Sequence, residues 1–561
     1  MKIINVNNYG ISPESENNTE KIILILNQIR ADASSEKCKI IFPSGIFHFD
    51  FNESHSFSLP ISNHSEAPRR SVFYLEDMHD LTLQGEKTTL LFTGNLIPFS
   101  IINCSGIQIK GFEIDFTDPF CLQGTVIKSS AFSYTLSMDE TLPISSASRG
   151  FTLMSSEGEI GGSESIEWDG DKKRRVFQAK APWIMAGKSS HLQNGSFRVF
   201  SPGHPAVGNK VITRIGDRTQ PGVLIHQSEN ISLKEIEIRH CKAMGVLGQM
   251  SENIDLYSVS IAPGENSVRF YSARDDAFHF SNCRGFINMN KCRAIGQMDD
   301  GLNVHGTYLK GEKLTASTLR LTYGHKQSKG FNPFRKGDLI CLRDRETLKE
   351  NGKTLCLYVE QINEKTIEIL LQSALSIPRY NIVENLSTAP DLRVDNCVFK
   401  NNRARGVLVT SPGKVRIRNS YFAPTGAAIL IAADSLSWFE SGGVRDVLIE
   451  NNTMEHCNTE SYQYCKAVIS IYPELVKPDK SQSFHRNIRI KGNHIKTYDA
   501  PILYGRYTDG ITFEDNTLEK TNEYRAWHKN KKAFYFENCK NINIRNNDLD
   551  KNLISCEIRE K

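Results

Sequence analysis

No uninterrupted apolar run in this chain approaches the ~18 residues needed to cross a bilayer, which excludes a membrane-spanning helix. An excess of one charge is also missing: 68 Lys and Arg stand against 64 Asp and Glu, a formal net charge of +4. Such a balance gives no broad field for nucleic acid, whose binding needs a concentrated basic face. The basic clusters present, Lys172 to Arg175 and Lys529 to Lys532, are short and read as solvated loop charges. CxxC pairs suited to zinc are absent, and 13 Cys is an odd number, which argues against a disulfide framework. The opening Met1-Lys2-Ile3-Ile4-Asn5-Val6-Asn7-Asn8 lacks the roughly seven apolar residues of a signal peptide. A cytoplasmic chain and an exported one whose leader has been removed both remain open.

What is there is a globular composition, 39% hydrophobic and 24% charged with a mean hydropathy of −0.38. At 561 residues the chain exceeds one compact core and predicts either several domains or one elongated repeat. A short alternating phrase recurs: Asn230-Ile231-Ser232-Leu233, Asn253-Ile254-Asp255-Leu256, Asp391-Leu392-Arg393-Val394, Lys414-Val415-Arg416-Ile417, Asn487-Ile488-Arg489-Ile490, Gly510-Ile511-Thr512-Phe513 and Asn541-Ile542-Asn543-Ile544. The step is 23 residues from 230 to 253, from 391 to 414 and from 487 to 510. Period-two alternation gives strands, and a fixed longer period gives stacked coils. Leucine-rich repeats need a helix or a regular Leu lattice, whereas the segments here are strand-like and rich in Asn, Gly and Cys. The expected fold is all-β, a right-handed parallel β-helix. Cys after Asn or His, as in Asn282-Cys283 and Asn396-Cys397, reads as a small buried residue at a repeated position.

The first coil of a solenoid exposes a ladder edge and must be capped. Glu20 to Arg30, with Ile22, Ile25, Leu26 and Ile29, predicts an amphipathic capping helix with Asn18 as N-cap. The phrase vanishes between about 119 and 215 and between about 308 and 388, where alternating segments predict two small β-barrel-like insertions. The resulting division is cap and first coils at 1–118, an insertion at 119–215, coils at 216–307, a second insertion at 308–388 and C-terminal coils at 389–561. Insertions in repeat proteins cluster on one face and are expected to wall a binding site there.

The chemistry concentrates at Arg274-Asp275-Asp276-Ala277-Phe278-His279 and Met298-Asp299-Asp300-Gly301-Leu302-Asn303-Val304-His305-Gly306, which lie 24 residues apart. One coil separates them, so Asp275 stacks on Asp299 and Asp276 on Asp300, about 4.8 Å apart. Neighbouring coils carry Ala243-Met244-Gly245 and Thr425-Gly426-Ala427 there; only Ala404-Arg405-Gly406 brings another charge. One Asp-Asp-Gly is a common turn. Two in register gather four carboxylates whose repulsion raises some pKa values, the condition for acid and base work by identical groups. Arg274, Arg403, Arg405, His279 and His305 are candidates to tune them or to bind sugar hydroxyls, and Asn303 is a further candidate. Calcium is the competing chemistry; flanking Arg and His oppose a divalent cation, so no metal or other cofactor is expected.

These segments, in a β-helix with two insertions, resemble glycoside hydrolase family 110, exo-acting bacterial α-1,3-galactosidases that release terminal galactose with inversion. The resemblance implies Asp276, Asp299 and Asp300 as the reacting carboxylates, and terminal α-galactosyl oligosaccharides or glycoconjugates, such as blood group B structures, as substrates. It also implies export to the periplasm or cell surface. Family 28 polygalacturonase-like hydrolases, to which Arg489-Ile490-Lys491 is similar by letter, are the alternative, and a non-enzymatic calcium-dependent sugar-binding β-helix is a third. Within the resemblance, Asp276 and Asp300 in one column are expected to hold the attacking water, with Asp299 as acid and Asp275 in support; the reversed roles stay open, because sequence does not fix side-chain direction at a turn. An exo-enzyme needs a pocket with an aromatic wall; Trp438 and Glu440, in the Gly-rich interruption Ser437 to Gly443, are the candidates for it.

Overall fold

The computed structural model describes residues 1–561 apart from 33–35, 147–150, 156–157, 180–187, 193–194, 202–203, 377–380, 461–462, 478, 480, 554 and 560–561. The alternating phrases form short parallel strands stacked coil on coil, in one sheet of 21 strands and another of 14. Each phrase supplies one inward residue to a continuous column. Ile231, Ile254, Ile287, Leu392, Val415, Val447, Ile488, Ile511 and Ile542 follow one another in register. All but Ile542 are 0–1% exposed, and burial of such side chains contributes about 1.5–3 kcal/mol each. The Asn that opens several phrases sits at the bend between strands with φ of +57° at Asn230 and Asn253, +52° at Asn487 and +51° at Asn541. Asn tolerates this left-handed region better than most residues, which explains its recurrence there.

A second Asn series runs inside the C-terminal coils. The side-chain oxygen of Asn493 accepts from the Asn452 backbone N–H at 3.0 Å and from its side-chain amide at 2.9 Å. Asn516 accepts from Asn493 at 2.8 and 2.9 Å, and Asn547 from Asn516 at 2.9 and 3.0 Å. The ladder satisfies backbone donors at a turn that has no strand partner for them.

The cap is the helix Thr19–Ala31, which buries Ile22, Ile25 and Leu26. Asn18 occupies its N-cap position, but the expected capping bond is not made. Its side chain instead bonds the Ser12 N–H and C=O, and the Thr19 N–H donates to Asn17 Oδ1 at 3.0 Å. The first insertion is an eight-stranded sheet from Cys121–Ser129 to Lys210–Ile215, whose edge strands Ile144–Ser146 and Ser189–His191 approach each other. The second is a closed barrel of six strands from Leu309–Lys313 to Asn381–Asn385.

Every Cys is a free thiol, and all but Cys556 are buried. Only half of the Lys172–Arg175 cluster is a set of solvated charges: Lys172 and Lys173 are exposed, whereas the two arginines are not. Arg174 pairs with Glu523, the buried Arg175 pairs with Glu460 at 2.5 Å, and Phe177 stacks on Tyr524 at 4.4 Å. Periodicity could not reveal this, because the partners lie far along the chain in the C-terminal coils, 349 residues away for Arg174 and Glu523. In the other cluster, Lys531 reaches Asp499 at 3.4 Å.

Asn493 is 1% exposed, and Asn493→Ala strands backbone donors in the middle of its ladder. The expected loss is about 1–3 kcal/mol, read as a lower Tm. An unchanged Tm would contradict a structural role for the ladder.

Candidate active site

The site grows from one turn repeated in three successive coils. The Ala277 N–H donates to Asp300 C=O at 3.0 Å and the Gly301 N–H to Arg405 C=O at 2.9 Å. This register puts Asp276, Asp300 and Arg405 in one column, flanked by Met244 before and Ala427 after, where the same bonding continues. Each turn leads into a strand of the 14-stranded sheet: Phe278–Ser281, Leu302–Thr307 and Val407–Val409. Glycine is required at position 301, since a Cβ there would lie 2.5 Å from the Gly406 carbonyl oxygen.

A cavity of about 410 Å³ opens over this column. Asp276, Asp299, Asp300, Asn303, Arg403, Arg405, Trp438 and Glu440 line it, together with Asn63, Glu164, Arg214, Arg218, Glu460 and Gln463. The remaining candidates, Arg274, Asp275, His279 and His305, lie behind this wall. All four are buried, so they reach the cavity only through other side chains. Arg489, in the strand His485–Lys491, pairs with Glu514 and is not on the cavity wall.

Three carboxylates converge where four were expected. One oxygen from each of Asp276, Asp299 and Asp300 lies within 4.8 Å of the others. Asp275 keeps its backbone register but turns into arginines: Arg274 at 2.9 Å, and Arg214 and Arg218 at 3.3 Å each. Arg274 is itself fixed by the carbonyls of Ile215 at 3.0 Å and Gly216 at 2.5 Å. Complete burial would raise the Asp275 pKa, but these cations outweigh it and hold the group well below the usual carboxylate range.

Asp300 Oδ2 accepts from the Arg405 guanidinium at 2.7 Å and Oδ1 from the Arg405 N–H at 2.9 Å. Asp276 Oδ1 accepts from the Asp300 N–H at 3.1 Å, and Oδ2 lies 2.8 Å from His279 Nδ1. Asp299 reaches Arg403 at 3.3 Å, while Arg403 is anchored on the Met298 carbonyl at 2.7 Å. Burial, and then the charge of Asp299, push Asp276 up to about 8. Burial drives Asp300 upward too, and Arg405 offsets this only in part. For Asp299 the burial effect is outweighed by Arg403, Arg405, Arg214 and Arg218, which leave it below its ordinary value. Three like groups therefore hold unequal charge in one cavity. The carboxylate spacing would admit a cation, but the arginines around it already supply balancing positive charge, so the donor set does not fit a resident metal.

The far wall comes from distant segments. Ser441 pairs antiparallel with Gly306 and Glu440 with Thr307, which hangs Glu440 over Asn303 and His305. Glu440 Oε1 accepts from Asn63 at 3.1 Å and from Asn303 at 3.4 Å. Burial would raise its pKa, but His305, His279, Arg405 and the Asn63 bond bring it below the ordinary value. Trp438 is aimed by Asp434, whose carboxylate accepts from the N–H groups of Leu436, Ser437 and Trp438 at 2.7, 2.8 and 2.7 Å. Its half-buried ring lies 4.3 Å from His325 of the second insertion and 5.7 Å from the Arg218 guanidinium.

Sequence reasoning missed Asn63, Glu164, Arg214, Arg218, Glu460 and Gln463. The first four come from a loop, the first insertion and its exit; none repeats with the coil period. Glu460 had one indirect signal, the basic cluster whose Arg175 pairs with it.

Residues 380–558 match the right handed beta helix region, and residues 318–377 match the GLAA-B beta-barrel domain II. A protein named Alpha-1,3-galactosidase B from Bacteroides thetaiotaomicron is 31% identical, over 98% of this chain and 91% of its own length. Alpha-1,3-galactosidase A from Bacteroides fragilis is 32% identical over 89% and 83%, and Alpha-1,3-galactosidase B from Phocaeicola vulgatus is 30% identical over 97% and 96%. Fold, cavity and relatives together define a β-helix glycoside hydrolase. The chain belongs to the α-1,3-galactosidase family, glycoside hydrolase family 110.

Asp275→Asn keeps the shape of the side chain but takes the counter-charge from the buried Arg274 and the half-buried Arg218, and leaves the buried Arg214 with Glu164. A loss of about 3–5 kcal/mol is expected, the range for breaking a buried pair, visible as a fall in Tm. Wild-type stability in this variant would contradict the pairing described.

Proposed function

We propose that this chain is an exo-acting hydrolase that removes terminal α-1,3-linked galactose from glycans such as blood group B structures, and from linear Gal-α-1,3-Gal, with inversion. The observation that carries this reading is the unequal charge of three carboxylates converging in one cavity. The names of the relatives, which match over nearly the whole chain, support the substrate class. A cavity of about 410 Å³ suits one terminal sugar with part of the next. Trp438 offers an apolar face to the ring, and Asn303, whose amide donates to Glu440, lies on the same wall.

The electrostatics favour a reversal of the roles expected from sequence. Asp276, raised toward 8, keeps the proton needed to protonate the leaving oxygen; Asp299, held ionised by arginines, is the base that takes a proton from water. As the C1–O bond breaks, its electron pair goes to the leaving oxygen with the Asp276 proton, while water adds to C1. Asp300, clamped by Arg405, donates its backbone N–H to Asp276 Oδ1 at 3.1 Å and so fixes the position of that carboxyl group.

A second reading has its own support. The carboxylate oxygens lie within 4.8 Å, tighter than the ~6.5–9.5 Å typical of inverting pairs and nearer the ~5–5.5 Å of retaining ones. On that reading Asp299 is a nucleophile rather than a base.

Galactose is expected from both Gal-α-1,3-Gal and the fucosylated B trisaccharide, at a rate indifferent to EDTA. Proton NMR should show β-galactose as the first anomer; α-galactose would replace inversion by retention. Asp276→Asn and Asp299→Asn should each lower kcat by about 10²–10⁴-fold. Asp276→Asn should spare α-galactosyl fluoride, whose leaving group needs no proton, and Asp299→Asn should not. The opposite pattern would restore the roles expected from sequence, and near-wild-type turnover in both variants would overturn the site.

A further inference from the structure

Behind Asp276 runs a line of close polar contacts that the mechanism above leaves unused. Asp276 Oδ2 lies 2.8 Å from His279 Nδ1, His279 Nε2 lies 3.0 Å from His305 Nε2, and His305 Nδ1 lies 2.7 Å from the Gly306 carbonyl oxygen. Both rings are buried, so water cannot complete their bonding. A carbonyl oxygen only accepts, so His305 Nδ1 carries a hydrogen. The facing Nε2 atoms need a proton between them, because two bare lone pairs at 3.0 Å repel. If that proton is on His279 and both rings are neutral, His279 Nδ1 is bare and Asp276 is the protonated donor. If it is on His305, that ring is a cation, His279 donates through Nδ1, and Asp276 is ionised. Both states contain the same protons, one more than two neutral imidazoles and a carboxylate supply.

We propose that Asp276, His279 and His305 hold one proton in common, and that the two imidazoles decide when Asp276 is protonated. The transfer balances. His305 Nε2–H breaks as His279 Nε2–H forms, and His279 Nδ1–H breaks as the Asp276 O–H forms. The charges on His305 and Asp276 cancel, and no oxidation occurs. Glu440 lies 3.6 Å from His305 Nε2, where its carboxylate faces the ring that would carry the charge. At His279, burial, His305 and Arg218 oppose a positive charge, while Glu440 and Asp299 favour one. Around Asp276 itself, Asp299 and Asp275 favour the protonated form, while Arg218 and the Asp300 N–H favour the ionised one. Glu440 also lines the cavity. A sugar hydroxyl donating to Glu440 weakens its hold on the His305 charge and sends the proton to Asp276, so ligand binding loads the carboxylate. His279 and His305 are positioning residues here, acting through Asp276.

The proposal rests on the galactosidase reading only for its kinetic test. His279→Gln still donates toward Asp276 but cannot pass a proton; His305→Gln leaves the first contact intact and removes the store. In each, the limb of kcat/KM belonging to Asp276 should move toward acid by about one pH unit, because His279→Gln removes the acceptor of the protonated carboxyl and His305→Gln removes the second site for the shared proton. A uniform loss at every pH with an unmoved limb would overturn the proposal. Nitrogen-15 histidine NMR of the unliganded protein provides a readout that needs no turnover. A strongly downfield imidazole N–H, absent from both variants, is expected; two neutral, freely exchanging imidazoles in the wild type would overturn it. Without galactose release from the wild type the substrate reading fails, and the NMR result still decides the shared proton.

Discussion

Everything in the cavity depends on backbone hydrogen bonding between successive coils. The Ala277-to-Asp300 and Gly301-to-Arg405 bonds, at 3.0 and 2.9 Å, set side chains 24 and 105 residues apart at one strand spacing. Parallel register with a period of two allows no one-residue slip without turning every inward residue outward. The continuous column from Ile231 to Ile542 enforces that register along the solenoid, and the site inherits its precision from the core. The second insertion, although it separates Leu302 from Val407 in sequence, leaves their pairing intact.

Stacking carboxylates one strand apart is electrostatically costly, and the fold offsets that cost unevenly. Asp275 receives three arginines and becomes a fixed structural anion. Asp299, on the outer side of the cluster, is held ionised by Arg403 and Arg405, whereas Asp276 is paired with a neutral imidazole and remains easier to protonate. Identical residues acquire different proton affinities from position alone, the condition under which one serves as acid while another serves as base. The arginines thus decide which chemistry the cluster carries.

Much of this was legible because periodic. The phrase at 230, 253, 391 and 414 foretold the coils, and the 24-residue spacing of the Asp pairs foretold their column. Arg405 could be added because the phrase resumes at 391. Proximity to the Asp coils placed His279 and His305 beside the cluster but could not say that they stand behind it, since burial there depends on the wall hung from Glu440. Asn63, Glu164, Arg214 and Arg218 were illegible for the same physical reason. Their place is set by how a loop and an insertion dock, and docking leaves no period in a sequence. Asn18 shows the limit of local rules: a good capping residue was drawn instead to Ser12 and His48.

The central claim is that Asp276 and Asp299, two of the three converging carboxylates, titrate far apart. The dependence of kcat/KM on pH for the wild-type protein tests it most directly, since that profile reports the free enzyme's acid and base. An alkaline limb near pH 8, with activity lost as pH rises through it, is predicted from Asp276, together with an acid limb below the ordinary carboxylate value from Asp299. A profile that falls away on both sides within the ordinary carboxylate range, or one with no alkaline limb, would contradict the account.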